Sequence, residues 1–280
     1  MSILITGGNG FLGSYLKENL DSQGMDYYAP SSKELDICNL KSIQEFFQNN
    51  RIDKVIHLAA NADHTSGKSD DVNIIGTYNV VRISKEFNIK HFVYASTNNV
   101  YSVSEALIEE DDPKYPSNQY GVAKLIGEWI VKENFENFSI LRFSDIYGYQ
   151  QKFGNLMKVF IKNSMNKESI QIVGSGVRAR DYLYVLDAAR SIVHVIVNRV
   201  FGVYNVSTAV ATSTLRLAQI INQVFKSDLP IKCLDATTED TSKVILNNHR
   251  LIQSGFNINF SLLEGLNDMR RIMLRDEKQN

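Results

Sequence analysis

The sequence predicts an α/β protein built on a doubly wound parallel sheet, with a small C-terminal lobe. Strand-length apolar runs alternate with helix-period segments through the first half of the chain. A glycine turn joins the first of these strands to the first helix, and the alternation breaks after about Tyr149. At 280 residues, 44% of them hydrophobic, the chain is long enough for one large α/β domain or for a domain with an appended lobe.

Ser2–Thr6 reads as a buried strand, and Gly10–Gln23 as a helix with Phe11, Leu12, Tyr15, Leu16 and Leu20 on one side. Met25–Ala29 is a second strand, and Leu40–Gln48 a helix with Ile43, Phe46 and Phe47 at core spacing. Val55–Ala59, Phe92–Ser96 and Ser139–Phe143 are further strands, separated by helices over Val72–Phe87 and Asn118–Asn134. Beyond Tyr149 the sequence predicts a helix at Asn155–Asn166, strands at Ile170–Val173 and Tyr182–Val185, and a helix from Asp187. Helices at Thr212–Phe225 and Ser261–Leu274 complete the chain. These elements divide it into a dinucleotide-binding domain over 1–149, with a returning segment at about 177–208, and a substrate-binding lobe made mainly of 150–280.

Composition excludes several classes. Net charge is −1 with acids and bases interspersed, which supports neither a nucleic-acid groove nor an anionic membrane surface. No apolar stretch approaches the roughly 18 residues of a spanning helix, and with the first strand predicted from about Ser2 no charged leader is expected. Cys38 and Cys233 show neither CxxC spacing nor a disulfide framework, and the expectation is a reducing cytoplasm. The five histidines lack metal-ligand spacing, so no metal is predicted.

The glycine turn is Thr6-Gly-Gly-Asn-Gly-Phe-Leu-Gly13. Glycine lets the backbone turn tightly and approach a pyrophosphate without a Cβ in the way, while the following helix aims its N-terminal amides at the phosphates. A glycine pattern alone is a weak signal, and a tight strand–helix turn is its bland explanation. Its position between an apolar strand and an amphipathic helix favours a dinucleotide. The second strand ends Tyr28-Ala-Pro-Ser-Ser-Lys33, with no acid at its tip for the adenosine ribose. Ser31, Ser32 and Lys33 suit a 2′-phosphate, so NADP(H) is expected to serve at least as well as NAD(H). Glu34 and Asp36 remain candidates for the ribose hydroxyls.

Tyr120-Gly-Val-Ala-Lys124 opens a helix, and the i,i+4 spacing puts phenol and ammonium on one face. A phenol has a reference pKa of about 10. A nearby ammonium and a positive nicotinamide both favour the phenolate, so the pair can exchange a proton with an alcohol oxygen while hydride moves. Taken alone, Tyr-x-x-x-Lys arises by chance on many surface helices.

The surroundings remove that ambiguity. Besides the glycine turn and the Tyr–Lys pair, the chain carries Asp36-Ile37, Val55-Ile-His-Leu-Ala-Ala60, Asn73-Ile-Ile-Gly-Thr-Tyr-Asn-Val80 and Val93-Tyr-Ala-Ser-Thr-Asn-Asn-Val-Tyr101. Leu141-Arg-Phe-Ser-Asp-Ile-Tyr-Gly148 and Arg180-Asp-Tyr-Leu-Tyr-Val185 follow in order. Over nearly its whole length the chain resembles the extended short-chain dehydrogenase/reductases, within the NAD(P)-dependent nucleotide-sugar epimerase/dehydratase group. That resemblance implies a Rossmann-type fold with Thr97, Tyr120 and Lys124 as the catalytic set, Lys124 also holding the nicotinamide ribose. It implies cofactor contacts from Gly7, Gly10, Phe11, Leu12 and Gly13, with Asp36 and Ile37 against the adenine and Leu58, Ala59 and Ala60 along the groove. Substrate contacts are expected from Arg180, at the diphosphate, and from Asn155 and Leu156. His57 is expected to be a packed strand-end residue. Relatives often dimerise through the helices at Val72–Phe87 and Asn118–Asn134, which implies a homodimer.

The reaction is narrowed at Asn98 and Asn99. In the 4,6-dehydratases the resemblance brings in, Asp and Glu follow the catalytic Thr, and carboxamides cannot replace them as acid and base. The residues left support 4-keto reduction or 4-epimerisation of a nucleotide-activated sugar, and predict no 4,6-dehydratase activity. The alternatives are a reductase of an apolar ketone or aldehyde and a non-enzymatic NADP-sensing protein. One residue departs from the pattern. Asp145 stands where the family usually has Asn, and it would repel a diphosphate unless Arg142, Arg178 or Arg180 compensates.

Overall fold

The computed structural model describes residues 2–61, 71–151 and 156–276. Its first half runs β1 (Ile3–Thr6), α1 (Phe11–Ser22), β2 (Tyr27–Tyr28), α2 (Leu40–Asn49) and β3 (Lys54–His57). A wide π-helical stretch at Asp71–Gly76 leads into α3 (Thr77–Glu86), followed by β4 (His91–Thr97), α4 (Gln119–Asn134) and β5 (Phe138–Phe143). The second half runs β6 (Asp145–Tyr147), α5 (Leu156–Met165), β7 (Ile170–Val173), β8 (Ala179–Arg180), β9 (Tyr182–Tyr184), α6 (Val185–Asn198) and β10 (Gly202–Val206). Last come β11 (Thr212–Ser213), α7 (Thr214–Phe225), β12 (Ile231–Leu234), β13 (Lys243–Val244), α8 (His249–Gln253) and α9 (Leu262–Asp276).

Six strands form one parallel sheet in the order β10-β5-β4-β3-β1-β2. The order reverses between β1 and β3, so the loops after these two strands diverge and leave a crevice at their carboxyl ends. Period-two alternation divides the core. Ile3 and Ile5 point into the layer formed with Leu16 and Leu20 of α1 and Ile192, Val195 and Ile196 of α6. Leu4, between them, faces Ile43 and Phe47 of α2, Val80 and Ile83 of α3 and Val131 of α4. Buried on both faces, the strands carry near-continuous apolar runs, which is the signal the sequence offered.

The lobe has its own core, in which Met157, Phe160 and Ile161 of α5 meet Leu217, Ala218 and Ile221 of α7 and Leu266 and Met269 of α9. β6 lies parallel to β9, β7 to β12, and β8 is flanked by β11 and β13. α6 and β10 return to the main sheet, where α6 packs on α1 and β10 on β5.

Several sequence expectations change at this level. The Val72–Phe87 helix begins with the wider turn, where the Asn73 carboxamide exchanges two hydrogen bonds with the Asn61 backbone. Thr212 and Ser213 pair with β8 instead of opening α7, whose N-cap is the Ser213 hydroxyl. Strands of two or three residues, such as β6, β8 and β13, are too short to show a period and were not anticipated.

A buried ionic cluster ties α4 to the sheet. Glu128 accepts hydrogen bonds from Arg142 Nε (2.8 Å) and Nη2 (2.6 Å) and from the Ser96 hydroxyl (2.6 Å). Arg142 also donates to the Tyr101 hydroxyl and the Glu110 carbonyl. Both Glu128 and Arg142 are 1% exposed, so neither charge has water to fall back on. Glu128→Ala is therefore expected to destabilise the protein by about 3–5 kcal/mol, because Arg142 is left buried and unpaired. Lys41→Ala, which breaks an exposed helical pair with Glu45, should leave the urea midpoint nearly unchanged. Equal shifts for the two variants would refute the assignment.

Candidate active site

The site begins where β1 ends. Gly7 turns the chain with φ +73°, and a Cβ there would lie 2.6 Å from the Ala59 backbone nitrogen. A Cβ on Gly13 would lie 2.6 Å from the Gly7 carbonyl oxygen. Only glycine lets α1 start this close to the strand ends. Gly10 is the N-cap of α1 and offers no side-chain cap, leaving the first-turn amides to a ligand.

This turn opens onto a cavity of about 690 Å³. Gly7, Gly10, Phe11, Leu12 and Gly13 line one end, with Leu58 and Ala60 from the loop after β3. Ala59 contributes its backbone behind Gly7. Ser31, Ser32, Lys33, Asp36 and Ile37 are not brought into this lining, and lie on the connection from β2 to α2. Ile37 is buried against Gly76. The Asp36 carboxylate is turned back on the Cys38 amide (2.9 Å). Glu34 folds back on Ser31, accepting from its backbone N–H and its hydroxyl at 2.8 Å each, and these bonds hold its carboxyl below the usual range.

Thr97, Tyr120 and Lys124 all line this same cavity. Thr97 is the last residue of β4. The Asn118 side chain accepts from the Gly121 amide (2.8 Å) and starts α4, which sets Tyr120 in its first turn and Lys124 one turn further on. Lys124 is buried, with Nζ 4.4 Å from the centre of the Tyr94 ring. Burial pushes the Tyr120 phenol up to about 12. Burial also pulls the Lys124 ammonium down to about 7, against the opposing pull of Glu128. The phenol stands high in the protein alone because its charged form loses water on burial; the positive nicotinamide, on which the sequence expectation also rests, is a property of the bound state.

The far end of the cavity is polar. Asn98, Asn99, Asp145, Arg178 and Arg180 line it, with Leu156 at the start of α5. Asn155 lies outside the described residues. Arg180 is steadied by the carbonyl and hydroxyl of Ser242 (3.2 Å each), and Arg178 pairs with Asp240 at 3.4 Å. Arg178, expected from the sequence only as a counter-charge to Asp145, lines the cavity with Arg180, and Arg178-Ala-Arg180 is a period-two pattern that faces two guanidiniums the same way. Arg142, the third candidate counter-charge for Asp145, cannot serve there, since Glu128 and Tyr101 hold it inside the core. His57 bonds Thr6 (2.6 Å) and Thr77 (3.0 Å), and burial drops its pKa to about 3. It is a neutral packing residue.

A glycine turn at the reversal point of a parallel sheet, open to a recessed Tyr–Lys pair, defines a nicotinamide-dinucleotide enzyme of the short-chain dehydrogenase/reductase type. The chain belongs to the NAD-dependent epimerase/dehydratase family, whose sequence pattern it matches over residues 3–207. It is 29% identical over 258 residues to the mouse (Mus musculus) dTDP-D-glucose 4,6-dehydratase, a match spanning 80% of this chain and 73% of that one. The UDP-glucose 4-epimerase of Thermotoga maritima, solved with UDP-glucose, superposes with a TM-score of 0.87 at 24% identity, covering 99% and 100% of the two chains. The dTDP-4-dehydrorhamnose reductase of Bacillus anthracis, solved in complex with NADP, gives 0.84 at 29% identity over 97% and 98%. Proteins named for dehydration, epimerisation and reduction thus resemble this chain, so likeness alone does not choose the reaction.

Proposed function

We propose that this chain transfers hydride between a nicotinamide dinucleotide and C4 of a nucleotide-activated sugar, as a 4-ketoreductase or 4-epimerase. The observation that carries this reading is that one cavity is lined at once by Gly7, Gly10 and Gly13, by Thr97, Tyr120 and Lys124, and by Arg178 and Arg180. The first set holds a pyrophosphate on backbone amides. The last suits the diphosphate of a sugar nucleotide, because paired guanidiniums bind such oxygens in bidentate fashion.

In this reading the bound nicotinamide supplies or accepts the hydride. Tyr120, protonated in the protein alone, gives its proton to the sugar oxygen during reduction and takes one back during oxidation. Thr97 bonds the same oxygen, and Lys124 holds the nicotinamide ribose. Asp145 is the sole carboxyl lining the cavity among the described residues. A 4,6-elimination needs both an acid and a base, so this lining argues against dehydration.

Both cofactors are expected to bind. Ser31, Ser32 and Lys33 favour a 2′-phosphate, whereas Glu34, in its seat on Ser31, favours free ribose hydroxyls and repels a phosphate. We also propose a homodimer through α3, the π-helical turn before it and α4, where Ile75, Tyr78, Val122 and Trp129 are exposed apolar side chains, Trp129 at 64%.

Tyr120→Phe should lower kcat by at least about 100-fold in NAD(P)H-dependent reduction of a nucleotide 4-ketosugar while leaving cofactor binding intact. Full activity in that variant, or release of a 4-keto-6-deoxy product from UDP- or dTDP-glucose by the unaltered enzyme, would overturn the mechanism. Glu34→Gln should shift the ratio of affinities toward NADPH over NADH by roughly threefold in fluorescence titrations; an unchanged ratio separates Glu34 from the ribose. Light scattering at micromolar concentration should give a dimer mass that falls to the monomer in Trp129→Glu, and a monomeric wild type rules the interface out.

A further inference from the structure

Three polar side chains in the cavity form a chain whose direction is set at one end. The Thr97 hydroxyl donates to Asn98 Oδ1 (3.1 Å), and Asn98 Nδ2 donates to Asp145 Oδ1 (3.0 Å). The Asn99 backbone N–H donates to Thr97 Oγ1 (3.2 Å). Asn98 and Thr97 are buried, at 4% and 7% exposure, so their partners are chosen within the protein.

The donor count makes this chain directional. An ionised carboxylate only accepts, so it draws the Nδ2 side of Asn98 toward itself. The Oδ1 side must then face Thr97, whose single proton is committed to it. With one Thr97 lone pair taken by Asn99, the remaining one can only accept, and what it accepts is a substrate hydroxyl. Protonation gives Asp145 a donor of its own, and the carboxamide is free to turn over. Nδ2 then donates to Thr97, and the threonine proton is released to bond a carbonyl. We propose that Asp145 acts through Asn98 as a positioning residue that sets Thr97 to accept from an alcohol or to donate to a ketone. This inference rests on the function proposed above and assigns the two members of its redox pair to the two directions of the chain.

The surroundings of Asp145 suit such a role. β6 aligns it with Tyr182 of β9, and its backbone N–H donates to the Asp181 carbonyl. The charged groups facing it are Arg180 and Arg178. Burial raises its carboxyl above the ordinary range, while the Asn98 donor, Arg180 and Arg178 pull the other way. A diphosphate on the two arginines would cancel part of their charge and favour the protonated acid further. Substrate binding is thereby coupled to the setting of Thr97.

The test uses the full chain without cofactor, labelled with ¹⁵N-asparagine and ¹³C-methyl threonine, and follows the Asn98 side-chain amide and the Thr97 methyl by NMR from pH 4 to 8. Both signals should move in one step with a shared midpoint, and UDP as probe should raise that midpoint by roughly half to one unit. Asp145→Asn should abolish the step. Asn98→Ala, which leaves the acid in place, should free the Thr97 signal from it. The proposal is overturned if the two signals share no step, if the step persists in Asp145→Asn, or if Thr97 still follows it in Asn98→Ala. A shared step with no UDP effect would leave the relay standing and count against the nucleotide-sugar reading, so the two can fail separately.

Discussion

At Gly7 the backbone turns through a left-handed conformation with the Ala59 backbone so close that no side chain fits between them. That contact holds β1 and the loop after β3 together at the point where the sheet order reverses. It also aims α1 across the carboxyl ends of the strands. The cavity follows from it, because the loops after β1 and β3 form one wall and those after β4 and β5 the other. A larger residue at Gly7 or Gly13 would push α1 away and widen the floor on which a pyrophosphate can rest.

The opposite wall depends on charge rather than on close backbone approach. Glu128 sits one turn beyond Lys124 on α4 and holds both Arg142 of β5 and Ser96 of β4. Anchored this way, α4 carries Tyr120 and Lys124 to the cavity that Thr97 also lines. The anchor also removes Arg142 from the cavity, leaving Arg178 and Arg180 of the lobe as its cationic end. Side chains from the sheet layer and from the lobe thus line one cavity together.

Family membership does not fix the reaction, since proteins with different named activities resemble this chain along most of its length. Just beyond the end of β4 this chain carries Asn98 and Asn99, which line the cavity together with Asp145. The Asn98 carboxamide links the Thr97 hydroxyl to the Asp145 carboxylate, while Asn99 reaches Thr97 through its backbone N–H.

Much of this was legible in the sequence. Apolar runs of strand length, the glycine turn and helical spacing in α1, α2 and α4 are local signals, each contained within one element and its neighbours. They were enough for the fold class, the family resemblance and the positions of Thr97, Tyr120 and Lys124. The tertiary structure decided which polar groups meet. Asn98 and Asp145 are 47 residues apart yet share a hydrogen bond, and Arg142 goes to Glu128 rather than to the substrate end. It also decided how deeply the Tyr120 phenol is buried, which raises it. Hydrogen bonds and desolvation act over a few ångströms between elements distant in the chain, so they leave no period or spacing to read.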